Sequence, residues 1–416
     1  MDNKSETPPV PVPRTYETVS KYLMFPNIDE KEWWVATGPQ FSKMLADAKY
    51  DIHHQFEYLQ LYASHILPFL GPFPKSRPDL YLCVLGGLGS LEFSQNFTEA
   101  GATVRMTFEP TSYTASTGED VCNRGTSDEF LRRLKRVSPK IDLGLYHEIL
   151  NKLTVTDTEE RLLVERDMLA GQEVRTQTMV ALDMKNGGIG AKIYFVPILK
   201  GIITGTPTWT MMQNAVRSVD RDGLFTEGLA NTAAYLDNAP DTVYQDMFSF
   251  DLVEPTETRF KIYLSEFQID FDRITDIWTL GGKIQGEETD QGLALLKELW
   301  DSLDIPVGTR PPPNKPVPVL PPDRLPIVVN LEITPNSSWP QPKMYFALPG
   351  LNCLAVATAV ETAFRNWGWG DHASSFIDNL RSYKPGVNLA ENTNMFSWLS
   401  FSYTSKTGPY VTLYHH

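Results

Sequence analysis

Long apolar runs are missing from this chain of 416 residues, and none reaches the roughly 18 residues that a membrane-spanning helix needs. Cysteine is scarce. Cys83, Cys122 and Cys353 are odd in number and widely spaced, which excludes a disulfide framework and a cysteine-built metal site. A reducing, cytoplasmic setting is the expectation. Positive charge is in the minority: 37 Lys and Arg stand against 51 Asp and Glu, a net charge of −14. A surface of that sign repels nucleic acid and anionic membranes, so neither is expected as a partner. A dinucleotide loop is absent as well. Gly87-Leu88-Gly89 comes near the pattern, but Glu92 stands where the third glycine belongs and no helix signal follows. The first residues, MDNKSETPPVPVPR, hold no apolar signal core. Residues 1–20 read as a disordered Pro-rich tail and 21–416 as one domain. His415-His416 reads equally as native sequence or as the stub of a purification tag.

Against this acidic background, four strand-like stretches each set a cation and a tyrosine, or two tyrosines, on one face. They are Lys192-Ile193-Tyr194, Arg259-Phe260-Lys261-Ile262-Tyr263, Lys343-Met344-Tyr345 and Tyr410-Val411-Thr412-Leu413-Tyr414. Val104-Arg105-Met106-Thr107-Phe108 has the cation without the tyrosine. Residues i and i+2 of a strand share a face. Each stretch is therefore apolar on one side and cationic or aromatic on the other. The apolar side needs a core, and the polar side needs water or a ligand.

Helical periodicity is expected over about 29–49, 52–70, 126–136, 141–152, 208–218, 224–237, 289–302, 352–367 and 371–382. His53-His54 falls on such an amphipathic stretch and Trp33-Trp34 on another; packing is the simpler role for both. Strands are expected near 80–85, 91–96, 103–109, 178–184, 190–197, 246–253, 258–265, 327–333, 343–348, 396–403 and 409–414. Asn186-Gly187-Gly188 marks a hairpin between two of them. Nine prolines from Pro306 to Pro326 make that segment extended and irregular. Helices followed by an antiparallel pair recur about five times. Ten strands in such pairs leave open edges unless they close. The fold class expected is α+β, a ten-stranded antiparallel barrel ringed by helices, with the polar faces inside.

In this order and spacing the pieces resemble the fungal aromatic prenyltransferases of the dimethylallyltryptophan synthase type. The resemblance rests on Asp29 to Trp34, Gly89-Ser90-Leu91-Glu92-Phe93-Ser94, Arg105 with Phe108-Glu109-Pro110, the cation–tyrosine stretches, and Ser400-Phe401-Ser402-Tyr403 before Tyr410. It implies the αββα barrel and transfer of a prenyl group, usually dimethylallyl, from its diphosphate to an electron-rich aromatic ring. The partners expected are a prenyl diphosphate and a small aromatic acceptor, in a monomer or homodimer. Arg105, Lys192, Arg259, Lys261 and Lys343 are the candidate diphosphate ligands, with Lys406 a sixth cation near the last strand. Tyr194, Tyr263, Tyr345, Tyr410 and Tyr414 are the candidates for a shield around an allylic cation. Glu92 is the candidate catalytic residue, accepting a hydrogen bond from an indole N–H or phenol O–H.

Relatives that prenylate tryptophan at C4 carry a lysine where this chain aligns Met179, and no lysine lies between Glu173 and Asp183. C4 chemistry is therefore not implied. A DDxxD motif is absent; Asp270-Phe271-Asp272 with Asp276 lacks that spacing, so no metal and no cofactor are expected. Two other readings stay open. One keeps the site but takes a longer prenyl chain, a non-aromatic acceptor or a self-cyclising substrate. The other is a barrel that only binds an anionic ligand.

Overall fold

The computed structural model describes residues 12–74, 81–312 and 320–416. Among the described residues twelve strands follow the chain: β1 (Leu91–Thr98), β2 (Gly101–Phe108), β3 (Thr178–Lys185), β4 (Gly188–Phe195), β5 (Val243–Asp251), β6 (Phe260–Glu266), β7 (Gln268–Ile269), β8 (Gly308–Thr309), β9 (Ile327–Ile333), β10 (Gln341–Ala347), β11 (Phe396–Thr404) and β12 (Gly408–His415). All but the small β7–β8 pair close into one antiparallel barrel in the order β1-β12-β11-β10-β9-β6-β5-β4-β3-β2. Closure removes every edge, which is what ten paired strands require.

The alternation seen in the sequence decides which face points where. Phe93, Phe97, Val104, Met106, Phe108, Ile193, Phe248, Phe260, Ile262, Met344 and Leu413 all join one core between barrel and helices. The covering helices each bring a large ring to that surface. Phe41 of the helix Ile28–Asp47 stacks on Phe93 at 5.3 Å, and Phe130 of Thr126–Val137 meets Phe108 edge-on at 5.0 Å. Trp300 of Glu287–Leu303 meets Phe346 at 5.5 Å, and Phe364 of Cys353–Asn366 meets Phe97 at 5.2 Å. Such rings bury much apolar area and are held further by edge and face geometry.

Three expectations need correction. The strand expected near 80–85 is absent over 81–85; residues 81–90 are turns and bends. Gly86, Gly87 and Gly89 hold φ of 65°, 54° and 87°, a left-handed run that no strand accepts. The disordered tail ends sooner than residue 20. Arg14–Ser20 is a helix whose Tyr16 stacks on Trp34 at 5.0 Å, and a Cβ on Gly38 would meet that ring at 2.7 Å. Residues 1–11 of that tail lie outside the described residues. Short helices at Asp157–Glu165, Ile198–Thr204 and Phe271–Trp278 carry too few turns to show a period. The hairpin at Asn186-Gly187 forms as expected between β3 and β4. In the Pro306–Pro326 segment, residues 313–319 lie outside the described residues.

His415 is a buried β12 residue with its ring against Tyr383 and Phe396, so it is part of the packed fold. Phe41→Ala is expected to cost about 3–5 kcal/mol, read as a lower urea midpoint at unchanged slope. A loss under about 1 kcal/mol would contradict the anchoring role given to this ring.

Candidate active site

The pairs β1–β2, β3–β4, β5–β6, β9–β10 and β11–β12 are joined by turns and short loops at one end of the barrel, and the helical connections leave from the other. Period-two alternation and the register carry specific side chains into the lumen between these ends. Arg105 stands opposite Asp183, Lys192 opposite Asp251, and Lys261 opposite Glu332. Lys343 and Tyr263 share Asn330 as a partner position, and Tyr345 stands opposite Ser400. Four of the expected cations, Arg105, Lys192, Lys261 and Lys343, thus meet inside the lumen, with Arg259 at the base of β6 beside them.

The cations are not alone. Asp183 binds both Arg105 and Lys192. Asp251 accepts from Arg259 Nε at 2.6 Å and lies 3.4 Å from Lys261 Nζ. Glu332 accepts from Arg259 Nη1 at 3.1 Å and lies 3.6 Å from Lys261 Nζ. Burial alone would raise the Asp183 carboxyl, but Arg105 and Lys192 hold it well below the ordinary range. Asp251 is likewise drawn down to about 2 against its burial by Lys261, Lys192 and Arg259. Burial would lower the Arg259 guanidinium, and Glu332 and Asp251 raise it instead. Asp183, Asp251 and Glu332 therefore brace four cations, Arg105, Lys192, Arg259 and Lys261.

Lys343 differs from the rest. Its ammonium donates to Thr412 Oγ1 at 3.2 Å and sits 4.5 Å from the Tyr410 ring, and no carboxylate ion-pairs with it among the described residues. Burial, then Arg105, push it well below the usual lysine range. An anion arriving nearby reverses that push.

The tyrosines form an arc on the next level toward the helical end. Tyr194 and Tyr263 are 5.8 Å apart between ring centres, Tyr263 and Tyr345 6.1 Å, and Tyr345 and Tyr414 6.1 Å. Asn330 Nδ2 donates to the Tyr345 hydroxyl at 3.0 Å and fixes that ring. Burial raises the Tyr194, Tyr345 and Tyr414 phenols, so they remain neutral. Tyr410 is set apart from this arc, under Lys343.

Glu92 lies near the helical end of β1 and is buried. A bulge in β11 between Phe396 and Leu399 turns Ser397 inward, and its hydroxyl donates to Glu92 Oε1. Burial lifts the Glu92 carboxyl to about 8 and Ser397 opposes this. Met179 stands opposite Tyr194 on the same level, with no lysine beside it on β3.

Lys406 does not join this assembly. It is exposed in the turn between β11 and β12, where chain direction reverses outside the lumen. The sequence reading missed Asp183, Asp251 and Glu332. Their positions on the lumenal parity of β3, β5 and β9 were the available signal, once the strands were paired. Among the described residues no three His, Cys, Asp or Glu side chains gather as a metal site. No helix is long and apolar enough to cross a membrane.

A closed ten-stranded barrel with helices outside and a cation-and-tyrosine lumen defines the class of αββα aromatic prenyltransferases. The family model for tryptophan dimethylallyltransferase matches residues 29–379. The chain is 41% identical to roquefortine prenyltransferase roqD of Penicillium rubens over 405 residues, 96% of this chain and 94% of that one. The crystal structure of AnaPT from Neosartorya fischeri superposes with a TM-score of 0.86 at 29% identity, covering 97% of both chains. NotF in complex with brevianamide F and DMSPP superposes at 0.84 with 30% identity, covering 98% of both. The chain belongs to the tryptophan dimethylallyltransferase family and is an aromatic prenyltransferase.

Because burial raises Glu92, it is neutral below about pH 8 and charged above it. If its carboxylate accepts the acceptor's proton donor, kcat/KM for the acceptor rises through that pH and levels off. Glu92→Gln is expected to remove the rising limb and lower turnover roughly 10²–10⁴-fold. A wild-type profile that is flat from about pH 6 to about pH 9 would contradict the assignment.

Proposed function

We propose that the chain transfers a dimethylallyl group from dimethylallyl diphosphate to an indole or phenolic ring, without a metal. The observation that carries this reading is the joining of braced cations, a tyrosine arc and Glu92 in one closed lumen. The bound diphosphate lies against Arg105, Lys192, Arg259, Lys261 and Lys343. Its C1–O bond breaks heterolytically, the electron pair leaving with the diphosphate. Cations already in place stabilise that growing charge more than they stabilise the ground state. The allylic cation is left facing Tyr194, Tyr263, Tyr345 and Tyr414, whose rings attract it and keep water out.

The acceptor ring, held by Glu92, attacks the cation, and the proton on the carbon that formed the new bond is then taken up by the released diphosphate, which leaves the site with it. With Met179 in place of a lysine, that proton does not leave through a lysine at this position. The preset cations supply the charge that a divalent ion supplies elsewhere, which supports the metal-independent form of the reaction.

Activity is expected to persist in excess EDTA. Lys343→Met is expected to lower kcat/KM for dimethylallyl diphosphate by about 10²-fold or more, the range for one preorganised donor. Complete loss in EDTA that magnesium restores, or unchanged kinetics in the folded Lys343→Met variant, would each contradict the proposal.

A further inference from the structure

One lumenal carboxylate belongs to neither the diphosphate brace nor Glu92. The register of β5 with β6 slips between Gln245 and Met247, so Asp246 is an extra residue in the ladder. Gln245 stands opposite Leu264, which lies in the outer core. Met247 stands opposite Tyr263 of the tyrosine arc. The bulge therefore breaks the alternation and brings Asp246 to the inner side, in hydrogen-bond contact with the Ser265 side chain. Ser265 is two residues from Tyr263 and stands opposite Val328, which packs against the arc. Burial raises the Asp246 carboxyl to about 6, opposed by Ser265, and no lysine or arginine ion-pairs with it among the described residues. Asp183, Asp251 and Glu332 each have a lysine or arginine partner.

Asp246 lies in the half of β5 nearer the helical end, the end where Glu92 sits on β1. Four strand steps separate β1 from β5 around the barrel, so the two carboxyls occupy nearly opposite walls. The cation brace lies toward the other end. Asp246 is half-buried, and a partly desolvated carboxylate without a cation gains when something arriving in the lumen supplies a donor. A diphosphate supplies none.

Resting on the prenyltransfer reading above, we propose that Asp246 is a specificity-determining residue for the acceptor. It selects an aromatic substrate that carries a second nitrogen donor, an ammonium or amide-type N–H, on the side away from the N–H or O–H held by Glu92. It disfavours an acceptor that places a free carboxylate there, because two unpaired anions would face each other.

The test compares kcat/KM for tryptamine, indole-3-propionate and 3-methylindole, each with dimethylallyl diphosphate. The wild type is expected to favour tryptamine over indole-3-propionate by at least about 10–100-fold, the range for one hydrogen bond to a charged group. Asp246→Asn keeps the shape and is expected to reduce that ratio by about 10-fold or more, with KM for dimethylallyl diphosphate unmoved. Asp246→Glu is expected to keep the preference for the amine. Turnover of 3-methylindole with no preference between the other two overturns this inference alone. An equal fall for both charged acceptors in Asp246→Asn also overturns it. Failure of the wild type to prenylate any of the three, while it still releases pyrophosphate from dimethylallyl diphosphate, overturns this inference but not the prenyltransfer reading; failure to release pyrophosphate overturns both.

Discussion

The structure depends on one electrostatic constraint: cations cannot be gathered inside a barrel unless carboxylates brace them. An isolated buried charge is costly, and a lysine under that pressure gives up its proton. Here Asp183 holds Arg105 and Lys192, while Asp251 and Glu332 hold Arg259 and Lys261. Bracing does two things. It opposes the loss of charge that burial imposes, although burial and Arg105 still bring Lys192 down to about 8, and it fixes where the cations point before any ligand arrives. On the proposed reading, a prenyl diphosphate meets these four braced cations together with Lys343. Lys343, held among the described residues by the Thr412 hydroxyl and the Tyr345 and Tyr410 rings, is the cation freest to respond.

The same barrel separates two chemistries along its axis. The charged level is near the turn end, where the proposed diphosphate site lies. The tyrosine arc follows, and Glu92 with Met179 stands toward the helical end. On the proposed reading, the acceptor and the leaving diphosphate approach the reacting carbon from opposite sides. The neutral phenols between them add no charge that would compete for the diphosphate or quench a cation.

Much of this was legible in the sequence because β-sheet alternation is strictly two-fold. Lys192 with Tyr194, or Lys343 with Tyr345, reveals an inner face without any knowledge of the partner strand. The repeated pairing of helices with such strands then leaves a closed barrel as the solution without edges. What depends on registry was not legible. Asp183 means little until it is seen opposite Arg105. Bulges were invisible too, since one extra residue reverses the parity that the reading relies on. Ser397 and Asp246 were missed for that reason. Lys406 erred the other way: proximity in sequence to Tyr410 suggested the lumen, while the tight turn places it in solvent. The glycines at 86, 87 and 89 defeated the strand expected before them.

If orientation matters and not the sum of charge, one substitution separates the two. Asp183→Asn removes a negative charge beside Arg105 and Lys192, so a lumen that works by net charge alone should bind dimethylallyl diphosphate more tightly and turn it over at least as fast. A lumen that works by preorganisation should lose rate. The decisive measurement is single-turnover kinetics of folded Asp183→Asn, with diphosphate affinity measured alongside. The account predicts a fall in the chemical step of about 10–100-fold without weaker diphosphate binding. An unchanged or faster chemical step would contradict it.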